Sequence, residues 1–252
     1  MLLENLELKE EENKKEENLS NFIFYHLPNE MSVTVGNFFR RILLSFIKGI
    51  ALVGIELYDV EGLKRNRISS LKGIVETTPY LIANCKNIVC EFKLDDKEVK
   101  SDSFFFLETE IINSGNEEYI LRAGKLESLN LNVKDPNIYL ATISPKDGSQ
   151  NSELKMKLYF RYDYGYKTAK EQKKYFSELL NKDDIIVLDT DYSPNILVNF
   201  KERVAVIDQE RQEKNLELTI KTNGTISPHE SFIETLEIIE NISKQCKKKL
   251  IN

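Results

Sequence analysis

The stretch Ser32-Val-Thr-Val-Gly-Asn-Phe-Phe-Arg-Arg-Ile-Leu-Leu-Ser-Phe-Ile-Lys-Gly49 constrains the fold more than any other part of the chain. Residues 32–35 read as a strand, Gly36-Asn37 as a turn, and the rest as a helix closed by Gly49. Phe38, Phe39, Ile42, Leu43, Phe46 and Ile47 form a stripe at helical spacing. Arg40 and Leu44 share a second line, and Asn37, Arg41, Ser45 and Lys48 a third. Burying a large apolar side chain contributes roughly 1.5–3 kcal/mol, so a helix apolar over most of its girth wants more than one surface. The adjacent arginines call for a partner with carboxylates or a polar groove.

A second helix shows the same excess. Ser227 reads as its N-cap, Pro228 as the first helical position and Glu230 as the capping-box acid. Phe232, Leu236, Ile239, Cys246 and Leu250 fall on one face, which Ile233, Ile238 and Ile242 widen. Residues 228–250 would span roughly 35 Å of helix, longer than a small domain needs. Packing against another chain follows. Between these helices, strands are expected at 21–26, 50–58, 88–93, 104–112, 119–122, 139–143, 154–162 and 184–189. Residues 204–207 are expected to pair with 216–220, ahead of an Asn223-Gly224 turn. Short helices are expected at 78–84 and 169–181, and 1–20 as a mobile charged arm. The fold class is therefore α+β.

With 252 residues the chain has room for one large domain or two modest ones. A net charge of −6 argues against broad electrostatic binding to DNA. Cys85, Cys90 and Cys246 have no CxxC spacing and no nearby histidine, which fits unpaired thiols in a reducing compartment. No apolar run approaches the roughly 20 residues of a membrane-spanning helix, and no signal or transit sequence is evident. Abundant Lys, Asn and Ile fit an AT-rich genome, such as that of a plastid or a reduced bacterium. Asp189-Thr-Asp191 is a D-x-D, able to hold a metal–nucleotide complex. Serine-triad order, P-loop and dinucleotide-binding fingerprints are all missing.

Several segments carry a resemblance to one family. Thr34-Val-Gly-Asn-Phe-Phe-Arg-Arg-Ile-Leu-Leu-Ser45 is similar to the T-L-G-N-x-L-R-R-x-L-L-S signature of RNA polymerase α subunits of bacterial and plastid type. Ser70 to Glu76 resembles the G-V-x-E-D loop, with Thr77 in place of the acid. Asp135 to Ile143, Tyr164 to Ala169, Asp189 to Pro194 and Leu216 to Pro228 match further family blocks in order. Gln209 matches after the Y-S-P turn and Val206 does not, while Glu30-Met31-Ser32 stands where the family has Gly-x-Gly.

The resemblance implies a discontinuous dimerisation domain, an antiparallel sheet plus two long helices, formed by 20–58 plus 180–252. A mainly β inserted domain, 59–179, would contact large subunits. It implies a homodimeric, non-catalytic scaffold without cofactor or metal, on which β and β′ subunits assemble as a DNA-directed RNA polymerase. Little direct DNA contact and no membrane are expected, because the chain stops shortly after Leu250 and the carboxy-terminal DNA-binding domain common in the family would be absent. Arg41, with Leu44, is implied as the β contact; Glu76, Lys86, Gly165 and Tyr166 are weaker subunit contacts. Phe38, Phe39, Ile42, Phe46, Phe232, Leu236 and Ile239 are expected in the core or the dimer seam, and Gly36 as a backbone turn. A plastid (chloroplast) is the expected location, with bacterial cytoplasm the alternative. The competing readings are a stand-alone metal-dependent enzyme using Asp189 and Asp191, and a dimerisation module outside a polymerase.

Overall fold

The computed structural model describes residues 6–13, 16–28, 30–58, 64–65, 71–93, 103–148, 150–181, 185–208 and 211–251. Ser70 and Gln209, quoted for the resemblance, lie outside these. The chain begins β1 (Glu7–Glu12), β2 (Leu19–Tyr25), α1 (Ser32–Ser45), β3 (Lys48–Tyr58), β4 (Lys64–Arg65), α2 (Thr78–Lys86) and β5 (Cys90–Phe92). It continues β6 (Phe104–Asn113), β7 (Tyr119–Arg122), β8 (Leu131–Val133), β9 (Tyr139–Ile143), β10 (Ser152–Tyr164) and β11 (Tyr166–Lys167). Then come α3 (Ala169–Tyr175), β12 (Ile186–Val187), β13 (Thr190–Asp191), β14 (Asn195–Asp208), β15 (Arg211–Thr222) and α4 (Pro228–Ile251). The fold class is α+β, as expected. Among the described residues, no helix is long and apolar enough to cross a membrane.

Two compact units emerge, Met1–Gly49 with Ser193–Asn252, and Ile50–Tyr192. The division falls at 49/50 and 192/193, not at 58 and 180. Residues 50–58 and 185–192 go with the middle unit because β3 and β12 pair there, Ile55 opposite Ile186.

In the first unit an antiparallel sheet runs β1-β2-β15-β14. The segment expected as a mobile arm supplies its edge strand, Glu7 opposite Tyr25 through Glu12 opposite Ser20. Backbone hydrogen bonds need no apolar side chains, so a charged segment can pair at an edge. The hairpin β14–β15 is longer than the sequence indicated, and Val204 lies opposite Lys214 while Leu216 faces Glu202. Phe22, Phe24, Leu216, Leu218 and Ile220 from the sheet pack with Phe39 and Leu43 of α1 and Phe232 of α4. The Phe22 and Phe232 rings stack with centroids 4.5 Å apart.

The helix α1 begins earlier than expected. Ser32 to Val35 are its first turns, not a strand, and Gly36 lies inside it, not in a turn. A Cβ on Gly36 would sit 2.5 Å from the Phe200 ring of β14; glycine is there for close packing, with no need of a special backbone angle. The helix stops at Ser45 with Phe46 as its cap, so Gly49 belongs to β3.

The second unit is built on a sheet ordered β12-β3-β10-β6, with β4 beside β3, and three two-stranded pairs, β11-β13, β5-β8 and β7-β9. Leu81 and Cys85 of α2, Leu107, Leu121, Leu140, Ile143, Leu154 and Leu158 form one closed core. Burial pushes the Cys85 and Cys90 thiols up to about 12, so both stay neutral, while Cys246 is exposed.

Candidate subunit interface

The two helices of the first unit carry both a core face and an outward apolar face. The α1 stripe divides accordingly. Phe39 is 8% exposed, packed on its own sheet, and Ile42 is 4% exposed, whereas Phe38 is 47% and Phe46 51% exposed. On α4, Phe232 is 3% exposed, Ile239 is half-buried and Leu236 is 40% exposed. Phe39 and Phe232, expected in the core or the seam, therefore serve their own core, and Ile42, expected likewise, is buried within the chain. Phe38, Phe46 and Leu236 are the exposed members of the set.

Sequence reasoning missed two neighbours of this surface. A register irregularity between Asn195 and Leu197 leaves Ile196 outside the ladder and 64% exposed, with Leu197 at 48%. The signal was there as adjacent apolar residues after Pro194-Asn195, but a bulge cannot be read from them. Asn195 itself, buried, donates from Nδ2 to the Leu43 carbonyl at 2.7 Å and accepts the Ser231 hydroxyl at 2.9 Å. The Leu43 carbonyl lies in the last turn of α1, where no intrahelical partner exists. One side chain thus ties the end of α1 to the second turn of α4 and sets their relative placement.

The start of α4 follows expectation. Ser227 Oγ accepts the Glu230 N–H at 3.1 Å, and Glu230 accepts the Ser227 N–H and hydroxyl at 3.0 and 2.8 Å. The Ser227 hydroxyl and N–H hold the Glu230 carboxyl below its ordinary value. Arg40 and Arg41 are exposed, and neither has an ion-pair or hydrogen-bond partner among the described residues. Leu44, three positions on from Arg41, is half-buried against the core. Arg41 thus projects a free cation beside a partly apolar step.

In the second unit, Glu76 is occupied internally. Its carboxylate accepts the Thr142 N–H at 2.7 Å and the Tyr139 hydroxyl, fastening its loop to β9. Burial and that carboxylate raise the Tyr139 phenol above its ordinary value. Lys86 Nζ donates to the Asp189 carbonyl at 3.0 Å. Gly165 takes a positive φ of 69° in the turn between β10 and β11, and its carbonyl accepts the Tyr192 N–H at 3.0 Å. Tyr166 beside it is 65% exposed. Of these four, Tyr166 is the side chain left to meet a partner.

Asp189 accepts the Ala169 N–H at 2.6 Å at the start of α3, so its carboxylate caps a helix. Among the described residues, no group of three or more His, Cys, Asp or Glu side chains is arranged to hold a metal ion.

Comparison with known proteins agrees with this geometry. The chain is 27% identical over 227 residues to a DNA-directed RNA polymerase subunit alpha of Hydrogenobaculum sp. (strain Y04AAS1), covering 90% of this chain and 64% of that protein. It is 28% identical to the subunit of the same name from Malacoplasma penetrans (93% and 68%) and 28% to that of Aquifex aeolicus (85% and 61%). The chain thus spans about two thirds of the length of these bacterial relatives. The family model of the RNA polymerase Rpb3/Rpb11 dimerisation domain matches residues 27–242, and to that family this chain belongs.

Proposed function

We propose that this chain is the α subunit of a DNA-directed RNA polymerase, a non-catalytic scaffold on which the β and β′ subunits assemble. The observation that carries the reading is the outward apolar face of α1 and α4, which a lone unit has no use for, on a chain of the dimerisation family. Two copies would pair through Phe38, Phe46, Leu236 and their neighbours, leaving Arg41 and Leu44 for the β subunit. The relatives' shared name supports the polymerase assignment. Nucleotidyl transfer would belong to the assembled complex, because it needs bound metal ions to neutralise developing charge. The Asp189/Asp191 enzyme is not favoured, since the Asp189 carboxylate is spent on a helix end. The bacterial origin of the relatives supports bacterial cytoplasm over a plastid, a distinction that an AT-rich composition does not make.

Sedimentation of the purified chain at micromolar concentration and capture of the large subunits test this together. A dimer that retains both large subunits is expected; a monomer that captures neither would overturn it. Arg41→Ala should leave the dimer intact and weaken β capture at least about tenfold, the scale for an interface arginine. Unchanged capture would remove the Arg41 assignment alone.

A further inference from the structure

The last three turns of α4 have no cover. Every residue from Glu240 to Leu250 is exposed. Yet the apolar line that buries Phe232 and half-buries Ile239 continues through Ile242, 53% exposed, and Leu250, 87% exposed. Charge along the helix is sorted as well. Glu230, Glu234 and Glu237 lie in its first half, Glu240 and Lys244 pair with each other at 2.7 Å just past its middle, and Lys247, Lys248 and Lys249 lie near its end. The helix dipole favours this order only within the terminal turns.

A complementary surface lies at the other end of the same unit. Leu8, Glu10 and Glu12 stand opposite Phe24, Phe22 and Ser20, on the face of β1 that the helices share. Glu10 reaches His229 at the start of α4. Leu8, Ile233 and Leu236 are each 40% exposed or more. The start of α4 and the edge strand therefore form a shelf of acids and exposed aliphatic residues. The end of α4 is an arm of lysines and exposed aliphatic residues.

We propose that in the homodimer the α4 helices run antiparallel, and that the Lys247–Lys249 arm of each copy lies on the acidic β1–α4 shelf of the other. A two-fold pairing satisfies both arms at once. A parallel arrangement would set lysines against lysines and glutamates against glutamates. This rests on the homodimer reading and adds its orientation and its electrostatic lock.

The test is a charge swap read by the dimer dissociation constant in analytical ultracentrifugation at low salt. K247E/K248E/K249E is expected to weaken the dimer about tenfold or more, and E12K/E237K by a smaller factor, as for several exposed pairs lost together. The chain carrying both sets should regain most of the affinity, and the differences should shrink at about 1 M salt. Recovery in the combined chain cannot come from a helix that has failed to fold. A wild-type dimer with K247E/K248E/K249E unchanged, or weakened without recovery in the combined chain, overturns the arm-on-shelf contact and leaves the homodimer standing. A wild-type chain that stays monomeric removes both.

Discussion

The middle unit closes its core, whereas the unit made from the chain's two ends leaves a face open. In the middle unit Leu81, Leu121, Leu140, Ile143, Leu154 and Leu158 are fully buried. Its exposed apolar residues are scattered over separate loops and strands, such as Val75, Ile112, Ile120 and Leu129, or are tyrosines with a hydroxyl for water, such as Tyr80 and Tyr166. In the other unit most of the exposed residues gather on two helices and a strand end, Phe38 and Phe46, Ile233, Leu236 and Ile242, Ile196 and Leu197, with Leu8 on the edge strand. Isolated exposed apolar residues are normal, but gathered ones mark a surface made to be covered. One unit is finished by folding; the other presents the face that the proposed pairing would cover.

The sharpest way to break that contrast is to truncate a core residue in each unit and a surface residue in the open one. Leu43→Ala and Leu121→Ala should each cost about 2–5 kcal/mol in urea unfolding, since both side chains are fully buried and leave cavities. Phe38→Ser and Leu236→Ser should change the unfolding of the dissociated monomer by under about 1 kcal/mol and weaken self-association by about tenfold or more. A Phe38→Ser variant as destabilised as Leu43→Ala would show that Phe38 belongs to the core, and the open face would shrink to α4.

This division between core and surface was the part least legible in the sequence. Periodicity found both helices and their excess of apolar residues, but a helical stripe has no mark for where the chain's own sheet ends. Phe38 and Phe39 are adjacent and chemically identical, and only the placement of α1 on β14 separates them. The beginning of α1 was misread because Val33, Thr34 and Val35 are β-branched and no side chain caps the helix. Burial of Ser32, and packing of Gly36 against the Phe200 ring of β14, overrode that preference. The edge strand β1 was missed because its pairing lies in the backbone. Capped ends and turns fared better, since Ser227 with Glu230, and Asn223-Gly224, act through local contacts that sequence specifies. For the candidate interface, the motif brought Arg41 to notice. The role of Asn195 depends on residues 152 and 36 positions away, which no local pattern connects.

Each unit also has a buried asparagine whose side chain bridges distant segments, Asn113 and Asn195, and the two should behave differently. Asn113 donates to the carbonyls of Glu117, Ile143 and Ser144 at 2.9, 3.2 and 3.0 Å, all within the closed unit. Asn195 holds α1 to α4, the two elements of the open face. Replacing either by alanine strands buried polar groups and should cost about 1–3 kcal/mol. Asn195→Ala should in addition weaken self-association, because α1 and α4 lose their common anchor; Asn113→Ala should not. Equal effects on association would mean that the open face does not depend on the helices' relative placement.

The smallest expected effect lies at two matched helix starts. Thr168 and Glu171 cap α3 in the closed unit as Ser227 and Glu230 cap α4 in the open one. Ser227→Ala and Thr168→Ala should each cost about 0.5–2 kcal/mol. Both glutamates are held below their ordinary value, mainly by the capping residue's own groups. A lowered carboxyl contributes stability that is present above its unfolded value, near 4.5, and is lost as pH falls through the lower folded value. The cost of each substitution should therefore hold at neutral pH and diminish below about pH 4.5, as urea midpoints across pH would record. Only Ser227→Ala should carry over into association, since α4 alone bears exposed seam residues within two turns of its cap. If Thr168→Ala also weakened the dimer, the closed unit would have to contribute to the seam, and the contrast between the two units would fail at its weakest point.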